Sequence, residues 1–297
     1  MKDLPLFILA GIDRNDFFAE KRILQLNFQN KKIIQYLIDE ARRSGRFSNI
    51  YLVGDKRLKK NFQEKCLFIE AKKYLRQNIK IIFNFFKKEK DFSVKQIAIL
   101  LSDILPSAEA INEVFTKRGE FLEKNLIFLI TPSDNLRKKR GKIFLKKDDK
   151  ASVKVYSGPG GFYILKPAQL NQKLICSLLN LRMPRKVRKI EVVNNKIYFT
   201  ALKSFRGFFF FVWLFLKTLF YSFIFIDKVF LFLKTFLKHQ KRKLTIKESE
   251  IILDKIFVNK KNRRKKELSS QIEIIENPVF VEDIDSEEDI FLLKSKN

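Results

Sequence analysis

Short apolar runs recur through roughly the first half of the chain, and between them apolar residues return at helical spacing. Leu4–Ala10 is such a run, ends in Gly11, and predicts a first buried strand. Ile33, Ile34, Leu37, Ile38 and Ala41 fall on one face and predict an amphipathic helix over 31–44. Asn-Ile-Tyr-Leu-Val-Gly predicts a second strand over 49–54. A short helix over 58–65, an apolar triplet at 67–69 and a longer helix over 71–88 follow. Residues 97–101 predict a further strand, 107–117 a helix and 126–130 a strand. Strands that alternate with helices imply a parallel-dominated sheet with right-handed crossovers.

The rhythm then changes. Residues 142–156 are polar and basic with β-branched positions, predicting a hairpin, and Tyr156-Ser157-Gly158-Pro159-Gly160-Gly161 predicts a turn. A strand resumes over 162–165, and Lys166-Pro167 opens the next helix with proline near its first turn. Beyond about residue 180 the pattern is largely helical; 259–270 is a charged loop and 279–281 a last short strand. A closing helix spans 286–293, with Ser286 as N-cap and acids in its first turn. The expected organisation is an α/β core over 1–180, a helical Phe-rich insertion over 181–275, and a strand–helix over 276–297 that returns to the core. The expected fold class is α/β, a Rossmann-like, mostly parallel sheet flanked by helices.

Residues 208–226 are long and apolar enough to match a membrane span, with basic flanks at Lys203, Arg206 and Lys228. Lys217 sits in their middle, at a cost of about 3 kcal/mol for a bilayer centre. The apolar pattern continues to Leu237 with lysines interspersed. Three readings stand: a buried helical hairpin, an interfacial element on anionic lipid over 208–238, or a single span. A single span would separate the C-terminal segment from the N-terminal core, so it is incompatible with a site built from both.

The chain of 297 residues is long enough to bury a full core. Its 61 Lys+Arg against 33 Asp+Glu leave +28, which suits nucleic acid, an anionic membrane surface or a phosphorylated substrate. Phe, Ile, Lys and Asn abound while Gly and Pro are sparse, a pattern of AT-rich coding that weakens the charge as a pointer to nucleic acid. The aromatics also form an apolar block instead of interleaving with basic residues, which argues against a nucleic-acid partner. Two distant cysteines, Cys66 and Cys176, and one histidine, His239, are too few for a zinc site or a His-based triad. Free buried thiols fit a reducing cytosol. The first strand follows without a basic n-region, a long h-region and a cleavage site, so no signal peptide is expected. The expected location is cytoplasmic, peripheral on the inner membrane face where 208–238 is interfacial.

The sharpest chemical signal is Asp103, which ends the apolar run Gln96–Leu101 in Leu101-Ser102-Asp103-Ile104-Leu105-Pro106. An aspartate at the C-terminal tip of a central strand sits where open α/β sheets bind ligands. A hard carboxylate there suits Mg²⁺, which is often shared with substrate phosphates. The alternative use of Asp103 is to cap the helix that starts near Ser107.

Five segments follow one another in a telling order: Ile8–Gly11; the Lys-Lys-Ile-Ile-Gln-Tyr-Leu-Ile-Asp-Glu-Ala helix; Ile50–Gly54; 101–106; and Gly160-Gly161-Phe162-Tyr163-Ile164-Leu165-Lys166-Pro167. Asp283-Ile284-Asp285-Ser286-Glu287-Glu288-Asp289 closes the series. This order resembles the nucleotidyltransferase family related to molybdenum-cofactor guanylyltransferase, with its glycosyltransferase-A-like fold, over about 4–170 and again at 279–293. In that family a Leu-Ala-Gly-Gly-x-Gly-x-Arg loop cradles nucleotide phosphates. The resemblance places Leu9, Ala10, Gly11 and Arg14 in that loop, but its further glycines are missing, so the backbone takes positive φ less readily. Lys21 or Arg22 stands where the family has a phosphate-binding lysine; a solvated charge is the alternative. Ser102 and Asp103 match the nucleotide- and metal-binding motif. Asp283, with Asp285 as second choice, matches the acid that joins the same metal, while Asp285 and Ser286 otherwise serve as helix caps. The segment Gly160–Lys166, with Gly161 on the nucleotide side, resembles the part that shapes the acceptor pocket, although Phe162 replaces the expected Asn. The resemblance implies a Mg²⁺-dependent transfer of NMP from a nucleoside triphosphate to a phosphorylated small molecule or lipid precursor. The alternative is a catalytically lapsed relative that binds nucleotide or membrane as a scaffold.

Overall fold

The computed structural model describes residues 4–12, 17–62, 64–85, 87, 96–116, 124–136, 143–148, 150–158, 160–180, 244–259 and 269–294. Its strands are β1 (Leu4–Ala10), β2 (Asn27–Phe28), β3 (Lys31–Lys32), β4 (Phe47–Gly54), β5 (Leu67–Glu70), β6 (Ile97–Leu101), β7 (Leu126–Pro132), β8 (Ile143–Lys146), β9 (Val153–Ser157), β10 (Phe162–Leu165) and β11 (Ser270–Ile274). Its helices are α1 (Phe17–Leu24), α2 (Ile33–Arg43), α3 (Lys59–Phe62), α4 (Leu75–Phe85), α5 (Ala108–Val114), α6 (Gln172–Asn180), α7 (Ile246–Phe257) and α8 (Glu287–Lys294).

β1 is buried at every position. Leu6 and Ile8 face one core while Phe7 and Leu9 face the other, as the two-residue period of a strand requires. A strand covered on both faces must be apolar throughout, which is why this segment does not alternate. β4 and β6 flank β1 in parallel, β5 lies beyond β4, and the order is β5-β4-β1-β6-β10-β7-β9-β8 with β11 parallel to β7. β10 runs antiparallel between β6 and β7. β8 and β9 form the predicted hairpin. The class is the expected one, a mostly parallel sheet flanked by helices.

α2 and α5 bury Ile34, Leu37, Ile111 and Val114 against the face that holds Leu6 and Ile8. α4 buries Ile79, Ile82 and Phe83 against the opposite face, with Phe7 and Leu9. Truncating any such fully buried Leu or Ile to Ala costs about 2–5 kcal/mol. The crossover through α2 leads outward from β1 to β4, whereas the return through α4 leads from β5 to β6 on the far side of β1. The winding therefore reverses between β1 and β6, and their C-terminal ends open the crevice in which such sheets take ligands.

Local chemistry explains several boundaries. The β2–β3 hairpin turns through Gln29 and Asn30 with φ of 47° and 60°, the two positive values of a type I′ turn. Neither this hairpin nor α1 is foreshadowed by the apolar periodicity. The helix expected from residue 71 begins only at Leu75. Residues 71–74 instead extend the β5 pairing and then bend, the Ala71 N–H donating to the Gly54 carbonyl at 2.8 Å. The short strand expected at 279–281 is a 3₁₀ turn, Pro278–Phe280. Proline lacks a ladder donor and the Asn277 side chain accepts from the Val279 N–H at 3.1 Å, so this stretch closes on itself. The late strand is β11, whose Ser270 pairs with Leu126, inside a stretch read as loop and insertion. α7 is capped by a full capping box between Thr245 and Glu248 and packs along β11. Among the described residues no helix is long and apolar enough to cross a membrane, and residues 208–238 lie outside them.

Candidate nucleotide and metal site

The crevice is assembled from three strand ends. Ala10 pairs with Gly54, and the Ser102 N–H donates to the Leu9 carbonyl at 3.1 Å, so the turn after β6 rests on the end of β1. Leu9 and Ala10 are buried and contribute backbone here. Gly11 is half-buried, and a Cβ on it would stand 3.0 Å from Asn78 Nδ2. Asn78 in turn ties down the neighbouring loop, accepting from the Lys72 N–H at 2.6 Å and donating to the Lys72 carbonyl at 3.2 Å. Arg14 lies outside the described residues.

Asp103 is buried, 8% exposed, two residues beyond the end of β6. Its backbone carbonyl accepts the N–H of Ile284 at 2.6 Å. That bond brings the acid-bearing segment, remote in the chain, against the end of β6. A second contact fixes the same approach: the Gly161 N–H donates to the Phe280 carbonyl at 2.7 Å, while the Gly161 carbonyl accepts from Leu101 at 2.8 Å. The approach needs a glycine beside it, because a Cβ on Gly160 would lie 1.7 Å from the Phe280 oxygen. Asp283 is half-buried and Asp285 exposed, on either side of Ile284. The structure thus brings Ser102, Asp103, Gly161 and the segment that holds Asp283 and Asp285 together.

The cap position that offered another use for Asp103 is filled by Ser107, which accepts from the Ala110 N–H at 3.3 Å. Ser286 and Asp289 cap α8 reciprocally: Ser286 Oγ accepts the Asp289 N–H at 3.3 Å, and Asp289 Oδ2 accepts the N–H groups of Asp285 and Ser286 at 2.9 and 3.0 Å. Phe162, where the resemblance expects an Asn, is 1% exposed and packs on the rings of Phe280 and Phe115. Its side chain belongs to the core.

α1 is tied to both sides of the crevice. Lys21 forms an ion pair with Glu287, both partly exposed. Arg22 is buried and donates through Nη1 to the Ile284 carbonyl at 2.8 Å. On the other side Glu20 pairs with Arg57 at 2.6 Å, and Arg57 with Asp55 at 2.8 Å, beyond the end of β4. The Arg57 hydrogen bond holds the Asp55 carboxyl below its ordinary value, and the Arg57 guanidinium is raised in return. The free cysteines lie elsewhere, half-buried, and burial pushes both thiols up.

Asp103 lies on one segment and Asp283 and Asp285 on another, and a backbone hydrogen bond from Ile284 joins the two. Among the described residues, no three His, Cys, Asp or Glu side chains gather as a metal cluster. A pair of carboxylates fits Mg²⁺, which keeps waters and completes its shell with substrate phosphates; it does not fit a structural zinc. Sequence reasoning missed the roles of Asp289 and of the Phe280 carbonyl. The Ser286-x-x-Asp289 spacing was a usable signal for the first; a main-chain oxygen leaves none.

No family profile matches the chain. No curated protein sequence matches it. Among solved structures, a hypothetical transferase from Thermus thermophilus superposes with a TM-score of 0.60 at 16% identity, covering 98% of this chain and 100% of that one. The 4-diphosphocytidyl-2C-methyl-D-erythritol synthase of Anaerococcus prevotii follows at a TM-score of 0.47 and 12% identity, over 99% and 96% of the two chains. The first of these defines a shared fold.

Proposed function

We propose that the chain is a nucleotidyltransferase that moves a nucleoside monophosphate from a nucleoside triphosphate to a phosphorylated small molecule or lipid precursor. One observation carries the reading: the Ile284 N–H bonded to the Asp103 carbonyl, which sets an acidic segment against the switch-point aspartate. A sheet crevice at the winding reversal, a buried aspartate just beyond the end of β6 and a second acid delivered from the far end of the chain are the parts that such chemistry needs. The fold shared with a hypothetical transferase supports the same class.

In this reading Asp103 and Asp283 hold Mg²⁺, with Asp285 as the alternative second ligand. Bound there, the ion supplies charge neutralisation for the triphosphate. The half-burial of Asp283 and the exposure of Asp285 favour Asp283. The backbone of Leu9, Ala10 and Gly11, with Ser102, lines the nucleotide side. Lys21 exchanges Glu287 for a phosphate oxygen, a small cost because exposed ion pairs are worth about 0–1 kcal/mol. Gly161, on the nucleotide side, ties the C-terminal segment to the end of β6 through the Phe280 carbonyl and Leu101. An acceptor phosphate oxygen then attacks the α-phosphorus, the bond to the β-phosphate oxygen breaks, and pyrophosphate leaves. Positioning and charge neutralisation do most of the work, as in other transfers at phosphorus.

The cationic excess draws anionic substrates inward. A lipid-linked acceptor would give 208–238 a role at an anionic membrane surface. The test is pyrophosphate release with each of the four ribonucleoside triphosphates, Mg²⁺ and a panel of sugar, polyol and lipid phosphates. Acceptor-dependent release is expected. Magnesium-dependent triphosphate binding without release for any acceptor would favour the scaffold reading, which the absence of glycine at positions 12 and 13 motivates.

A further inference from the structure

Arg22 is 4% exposed, and a guanidinium is costly to bury unless its donors are used. Its Nη1 donates to the Ile284 carbonyl at 2.8 Å, and its Cζ lies 5.9 Å from the centre of the Phe18 ring. The N–H of the same Ile284 donates to the Asp103 carbonyl at 2.6 Å. Ile284 is therefore held through both of its backbone polar groups, and its side chain is buried in the core as well. Pinning a residue at three points leaves little freedom for its neighbours, and those neighbours are Asp283 and Asp285. A charged donor makes about twice as strong a bond to a carbonyl as a neutral one. α1 is itself anchored by packing, with Ala19 and Ile23 buried and Phe18 against the same core, so the guanidinium is delivered from a fixed support.

We infer that Arg22 is a positioning residue. By fixing the Ile284 backbone it sets Asp283 against Asp103, and so governs the affinity of the crevice for a divalent cation that carries a polyphosphate. This rests on the functional reading above and assigns Arg22 a role distinct from phosphate binding.

The probe is Mn²⁺ with inorganic tripolyphosphate, which needs no knowledge of the base. Binding is read by water-proton relaxation for wild type, Asp103→Asn, Arg22→Met and Arg22→Lys, with backbone amide exchange on each. Arg22→Met is expected to bind about tenfold or more weakly, the worth of a hydrogen bond from a charged donor. Its Ile284 amide should lose protection while amides of β1 and β6 keep theirs. Arg22→Lys, charged but without the planar fork, should fall between. Wild-type binding that is lost in Asp103→Asn yet unchanged in a folded Arg22→Met overturns the role of Arg22 alone. No binding by wild type overturns the functional reading and this one with it. Should Arg22→Met fail to fold, Arg22→Lys decides by the same two readouts; if neither folds, Arg22 is a core residue and the inference is overturned.

Discussion

Ile284 donates its backbone N–H to the carbonyl oxygen of Asp103 across 2.6 Å, joining the acidic C-terminal turn to the tip of a central strand. Ile284 stands between Asp283 and Asp285, so this bond holds the backbone of both acids beside the end of β6. Substituting Asp103→Asn or Asp283→Asn should each lower pyrophosphate release by roughly 100-fold or more, as expected for losing a ligand of a charge-neutralising ion. Asp285→Asn should cost no more than a few-fold. Thermal melts that match wild type would show that the losses are chemical; equal losses at 283 and 285 would assign the second acid differently.

Gly160→Ala tests the approach of the two segments. Its Cβ would enter the van der Waals volume of the Phe280 carbonyl, 1.7 Å away, and backbone must move to admit it. A destabilisation of about 3 kcal/mol is expected. The Gly161 amide, bonded to that carbonyl, should lose exchange protection first.

Asp289→Ala removes the carboxylate that accepts from both Asp285 and Ser286. Loss of one such cap costs about 1 kcal/mol, measured by denaturant unfolding. Asp289→Asn keeps an acceptor oxygen and should recover part of that loss.

Glu250, on α7, gives a pH signature. Burial pushes its carboxyl above the ordinary value, and Asp254 and Glu273 add to the shift, against the Ile272 N–H and Lys124. The folded chain then holds this proton more tightly than the unfolded chain. Its contribution to stability is full below the unfolded carboxyl value, about pH 4, and is lost as pH rises through the higher folded value. Glu250→Gln keeps an acceptor for the Ile272 N–H, bonded at 2.9 Å, and removes the charge. The variant should melt above wild type near neutral pH, and the two should converge in acid.

The parallel core was legible because β1, β4 and β6 are apolar runs separated by helical spacing, and burial on both faces demands that pattern. Asp103 stood out for the same reason, as a charge at the end of such a run. β11 was harder to see: Ile272 and Ile274 alternate with Gln271 and Glu273, yet the strand follows a charged stretch that outweighs five residues of alternation. α1 has a mixed surface, and its place is set by Arg22 and Lys21 reaching segments remote in sequence, which no local pattern reports. Phe162 was identifiable as a departure from the family motif, but only packing against Phe280 assigns its ring to the core.

A structure determined with Mn²⁺ and a non-hydrolysable nucleoside triphosphate tests the central claim most directly, through the anomalous signal of the metal. The account predicts a peak within about 2.5 Å of carboxylate oxygens of both Asp103 and Asp283, touching the triphosphate. A triphosphate bound away from the ends of β1 and β6, or a metal that contacts neither aspartate, would contradict it.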